Sequence, residues 1–150
     1  MAIAHYFMDV LHNEETFVAH VAERLCDGGM FSVNNICASA EQLFWVDTIK
    51  AAGLNPTFAM DKYREAKAQG DAFKLILEKY FKKVTEVVLP SPFRYESADE
   101  LFERAMERFP EAKDYLESNK STLITYFDNI IKAQGDIIID CSGLFWHCYK

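Results

Sequence analysis

No run in this 150-residue chain approaches the roughly 20 consecutive apolar residues that a membrane-spanning helix needs. Membrane insertion is therefore not expected. Glycine and proline are sparse, at six and four, which excludes collagen-like and flexible low-complexity chains. The few that remain become informative stop signals. Positive charge is short as well: 16 Lys and Arg stand against 23 Asp and Glu, a formal net charge of −7. A protein that grips nucleic acid by its phosphates needs the opposite sign, so direct backbone binding to DNA or RNA is not expected. The first cationic side chain is Arg24, so the N-terminal Met-Ala-Ile-Ala-His-Tyr-Phe-Met-Asp lacks the basic start of a secretory signal. A cytoplasmic setting is expected. There, Cys26, Cys37, Cys141 and Cys148 read as reduced thiols that behave as small core residues.

Signatures of chemistry are missing too. The chain holds no G-x-x-x-x-G-K-[ST], G-x-S-x-G, H-E-x-x-H or C-x-x-C, no EF-hand loop and no repeat of fixed period. The nine residues Gly-Asp-Ile-Ile-Ile-Asp-Cys-Ser-Gly look like an inner strand of a Rossmann dehydrogenase. Without G-x-G-x-x-G or βαβ alternation, that likeness implies nothing about function. No cofactor is expected.

What is present is ample core material, 50% apolar and 14% aromatic residues, broken into helical periods. Asn13 caps a helix whose first turn carries Glu14 and Glu15 and whose apolar face is Phe17, Val18, Val21, Ala22 and Leu25, with Gly28-Gly29 as its stop. Ser39 and Gln42 open a helix through Leu43–Ala52 that Gly53 closes. Asn55-Pro56 starts another that Gly70 ends. Asp71 begins the strongest stripe: Phe73, Ile76, Leu77, Tyr80, Phe81, Val84, Val87 and Val88. Pro90-Ser91-Pro92 follows as the clearest break. Ser97 and Glu100 form a capping box ahead of Leu101, Phe102, Ala105, Met106 and Phe109. Two further helices carry Ala112, Tyr115 and Leu116, then Leu123, Ile124, Phe127, Ile130 and Ile131. The β-branched segment from Ile137 to Ile139 reads as a short strand, needing a partner among residues 2–8, 30–37 or 85–89.

The expected fold is thus mainly α: one compact helical domain, 1–150, of about seven helices with one short C-terminal strand. A hinge at 90–92 would separate residues 1–89 from 93–150.

Charge is polarised along the chain. Residues 1–60 sum to −5, residues 61–83 to +3 and residues 96–117 to −5. Such runs are ordinarily solvated helix faces, and they also set encounter rate and specificity where a partner of matching polarity exists.

Three groups bear on chemistry. His5, Asp9 and His12 would share a face if residues 3–12 were helical, offering two imidazoles and a carboxylate to a divalent metal or to acid–base work. Cys141, His147 and Cys148 hold metal-binding atom types, but C-x5-H-C matches no compact zinc pattern, and residues 147 and 148 of a strand face opposite sides. Cys141 alone remains a nucleophile candidate for a Cys-His hydrolase. The third group is aromatic: twelve Phe, seven Tyr and two Trp offer more ring surface than packing demands. Tyr6, Tyr63, Tyr95 and Trp146, near element ends or polar neighbours, are interface candidates. The acidic run adds Glu100, Glu103, Glu107, Glu111 and Asp114. By elimination, the expected function is a non-enzymatic protein–protein interaction module, an acidic inhibitor, immunity-type or regulatory protein. A homodimer and an acidic decoy for a nucleic-acid site are variants, and a small metal-dependent or Cys-His hydrolase is the rival.

Overall fold

The computed structural model describes residues 1–6, 11–35 and 39–150. In chain order its elements are β1 (Ala2–Ala4), α1 (Glu14–Arg24), β2 (Met30–Val33), α2 (Ala40–Ala51), α3 (Thr57–Tyr80), β3 (Lys83–Leu89), β4 (Pro92–Tyr95), α4 (Ala98–Arg108), a 3₁₀ turn (Pro110–Ala112), α5 (Lys113–Ser118), α6 (Lys120–Gln134), β5 (Ile137–Asp140) and β6 (Gly143–Tyr149). The described residues therefore hold six α-helices and six strands, an α+β fold. The expectation of a mainly α protein with about seven helices and a single strand is corrected.

The chain forms two units, each with its own core. Unit 1 comprises residues 1–39, 64–90 and 142–150, and unit 2 comprises 40–63 and 91–141. The chain passes between them at 39–40, 63–64, 90–91 and 141–142; the third passage falls within Pro90-Ser91-Pro92.

Unit 1 is built on a four-stranded sheet in the order β1-β2-β6-β3. β1 runs parallel to β2, while β6 lies antiparallel between β2 and β3, with Cys148 opposite both Phe31 and Val84. Alternation sends Phe31, Val33, Trp146 and Cys148 to one face, where they meet Val18 and Ala22 of α1 and Phe73 and Leu77 of α3. Asn13 caps α1 as expected, its side chain accepting from the Thr16 N–H at 2.9 Å. The helix stops at Arg24, before Gly28-Gly29, because Leu25 is already extended; Gly28 then takes the left-handed turn into β2.

Two element boundaries differ from expectation, and the second uncovers β3. α3 does not end at Gly70. It runs 24 residues, because a glycine ends a helix by adopting a left-handed conformation, and the described glycines that do so are Gly28, Gly53 and Gly135. The stripe from Phe73 also breaks at Tyr80. Val84, Val87 and Val88 match a helical period by coincidence and lie in β3, a β-branched edge strand where Val88 is 60% exposed.

Unit 2 packs α2, the start of α3, α4, α5 and α6 around Trp45, Phe102, Phe109, Leu116, Leu123 and Phe127. Trp45 meets Phe109 and Phe127 edge to face at 6.1 and 6.5 Å. Gly53 closes α2 with the paired bonds of a Schellman motif, Gly53 N–H to the Lys50 carbonyl and Leu54 N–H to the Ile49 carbonyl, both at 3.0 Å. The expected strand is β5, with Ile137 and Ile139 buried. Its partner is β4, in the register Phe93 to Ile139 and Tyr95 to Ile137, and not one of the three segments proposed from sequence. Those segments contribute β1, β2 and β3, all in the other sheet.

Candidate functional site

Four of the nominated interface residues converge in unit 2. β4 places Phe93 and Tyr95 two positions apart, hence on one face. The chain turns directly into α4, where Ser97 accepts the Glu100 N–H at 3.4 Å. Leu101, Phe102 and Ala105 bury one side of that helix, so Asp99, Glu100, Glu103 and Glu107 are left on the other. A cleft of about 450 Å³ lies between strand and helix, lined by Phe93, Tyr95, Asp99, Glu100, Glu103, Arg104 and Glu107. Sequence reasoning missed Phe93, Asp99 and Arg104. Phe93 is 52% exposed, an aromatic that the unit 2 core does not consume.

Arg104 is the cation of this cleft, yet its charge is already answered from beneath. Its Nη2 lies 2.7 Å from Oε1 of the buried Glu41 on α2, and Nη1 lies 3.7 Å from Glu107. Arg108 Nε approaches the second Glu41 oxygen at 3.7 Å. Burial works against the Arg104 charge, and the Glu41 carboxylate more than offsets it, holding the guanidinium protonated. Four carboxylates therefore dominate the cleft wall, beside one exposed and one half-buried ring. Burial pushes the Tyr95 hydroxyl above its ordinary range, Arg104 opposing in part, so it remains a neutral hydrogen-bonding group. Chemically, the cleft suits a cation: carboxylates supply charge, and ring faces attract an ammonium or guanidinium group.

The other nominated residues do not join it. Glu111 sits in the 3₁₀ turn and pairs with Lys62 at 3.4 Å. Asp114 is exposed on α5, and Tyr63 is half-buried on α3. Tyr6, in unit 1, is 80% exposed and presents an edge contact to Phe145. Trp146 is only 1% exposed, packed against Phe73 at 5.5 Å, so it is core and not an anchor. A C-terminal strand pinned by Phe145 and Trp146, which the aromatic run at residues 145–146 also suggests, is what β6 provides.

The metal and hydrolase candidates separate. Residues 2–4 are strand, so the helix that would align His5, Asp9 and His12 is absent there; Asp9 lies outside the described residues. His5 Nε2 is instead 2.8 Å from Ser32 Oγ, and the described residues show no cluster of three metal-ligating side chains. Cys141 is half-buried at the end of β5. Burial and the Glu41 carboxylate push its thiol up, Arg104 opposing, which is the wrong direction for a nucleophile. Cys148 is buried opposite the face of His147, and burial pushes its thiol up to about 12. No helix among the described residues is long and apolar enough to cross a membrane. No family model matches the chain, and no curated protein is significantly similar to it.

Proposed function

We propose that this protein is a non-enzymatic, cytoplasmic protein–protein interaction module, of inhibitor, immunity-type or regulatory kind, that receives a basic segment of its partner in the α4–β4 cleft. The supporting observation is the cleft itself, where Glu100, Glu103 and Glu107 stand on one helical face beside Phe93 and Tyr95. An arginine or lysine entering it would meet charge at the mouth and a ring at the wall, the composition of an interface anchor. Arg104, fixed by Glu41, would hold the Glu107 wall in place and exclude a second cation from the floor. The hydrolase alternative has less to stand on, since the Cys141 thiol is pushed away from reactivity.

The test is capture from the native host by the full chain, run beside a Glu100→Lys/Glu103→Lys/Glu107→Lys variant. A stoichiometric protein retained by the native chain, released by salt and lost on charge reversal is the expected result. Recovery of no stoichiometric protein, or equal recovery by both chains, would overturn the reading.

A further inference from the structure

Unit 1 contains a second, chemically opposite cleft. α1 reaches beside the outer strand β1, and about 640 Å³ of space lies between them, within the roughly 300–1,000 Å³ range of small-ligand sites. Its walls are apolar: Ala2 from β1, Phe17 and Val21 from successive turns of α1, and Leu25 just past the end of that helix. Its polar lining is His20, Arg24 and Cys26, of which Arg24 carries the charge.

Arg24 is unusual in its surroundings. It is the first cation of the chain, set in a 60-residue stretch of net charge −5. Among the described residues it pairs with no carboxylate, its guanidinium reaching only the His20 carbonyl at 3.3 Å. A helix C-terminus ordinarily repels anions. Here Lys150 Nζ covers that end of α1, donating to the Leu25 carbonyl at 2.7 Å and the Glu23 carbonyl at 3.4 Å. The Glu23 and Leu25 carbonyls are thus covered by a second cation, which offsets the repulsion that this helix end would present to an anion.

We infer that the α1–β1 cleft binds a single-chain amphiphile with a terminal carboxylate, a medium-chain fatty acid. Its chain lies along Phe17, Val21 and Leu25, and its head group meets Arg24. Charge complementarity selects the head group, and apolar burial supplies most of the affinity. This inference involves no residue of the acidic cleft and stands or falls separately from it.

The probe is decanoate, with decanol as its neutral counterpart, titrated into the full chain and followed by calorimetry. Saturable one-to-one binding of decanoate is expected, with decanol about tenfold weaker. Arg24→Gln should erase that preference, and Val21→Trp, which fills the cleft, should abolish binding. Because Val21 is half-buried and its variant could misfold, location has a second readout in the native chain. Cys26 is exposed and lines the cleft, so decanoate should slow its alkylation. The inference is overturned if decanoate shows no saturable binding, if decanol binds equally well, if Arg24→Gln retains the preference, or if Cys26 alkylates at an unchanged rate under saturation.

Discussion

Single residues already show how environment outweighs type. All four cysteines read as small core residues in the sequence, yet Cys26 is exposed, Cys141 half-buried and Cys148 sealed within unit 1, while Cys37 lies outside the described residues. Only the thiolate reacts, and burial holds Cys148 as a thiol up to about pH 12. Iodoacetamide at pH 8 should therefore modify Cys26 in the folded protein and leave Cys148 untouched until denaturant is added. Peptide mass mapping would check this, and rapid native alkylation of Cys148 would contradict the placement of β6. Arg104 teaches the same lesson from the other side. Its sequence neighbours mark it as one of three cations among eight acids between residues 96 and 117. Its role depends on Glu41, 63 positions away, which no local pattern connects to it.

At the level of elements, local chemistry was legible wherever one or two residues decide the outcome. Asn13 and Ser97 cap α1 and α4, and Asn55 Oδ1 accepts the Thr57 N–H at the start of α3. The acidic face of Glu100, Glu103 and Glu107 was equally readable, since helical spacing alone creates it. Elements whose identity depends on distant partners were not. β3 contains apolar residues at helical intervals, and only pairing along β6 makes it a strand. β4 is a four-residue Pro-Phe-Arg-Tyr, too short to declare itself as a strand, so Tyr95 was nominated without the Phe93 that shares its face. Gly70 sharpens the point with a measurement. In a loop, Gly70→Pro would be tolerated. Inside a continuous α3 it removes a hydrogen bond and introduces a ring clash, costing about 3 kcal/mol or more. Urea denaturation of the variant should show that loss, and an unchanged midpoint would contradict the 24-residue helix.

The whole molecule is divided in space and interleaved in sequence. Unit 1 draws on three separate segments and unit 2 on two, so no single cut isolates either. A fragment of residues 1–90 lacks β6, which pairs with both β2 and β3; a fragment of 91–150 lacks α2 with Trp45. Neither fragment is expected to fold alone, whereas a mixture of the two would regain native-like circular dichroism if complementation succeeds. A folded 1–90 fragment with a sharp thermal transition would contradict the sheet order. That order also fixes a timetable. The strand at the middle of the sheet is contributed by residues 143–149, more than 100 positions after β2. On a ribosome, β2 and β3 emerge long before the strand that joins them, each with unpaired backbone edges. The nascent chain thus passes through a period in which its most β-prone segments lack their proper neighbour. Dependence on a chaperone, or loss to inclusion bodies on fast overexpression, is the expected cost of placing the keystone strand so far behind the strands it joins.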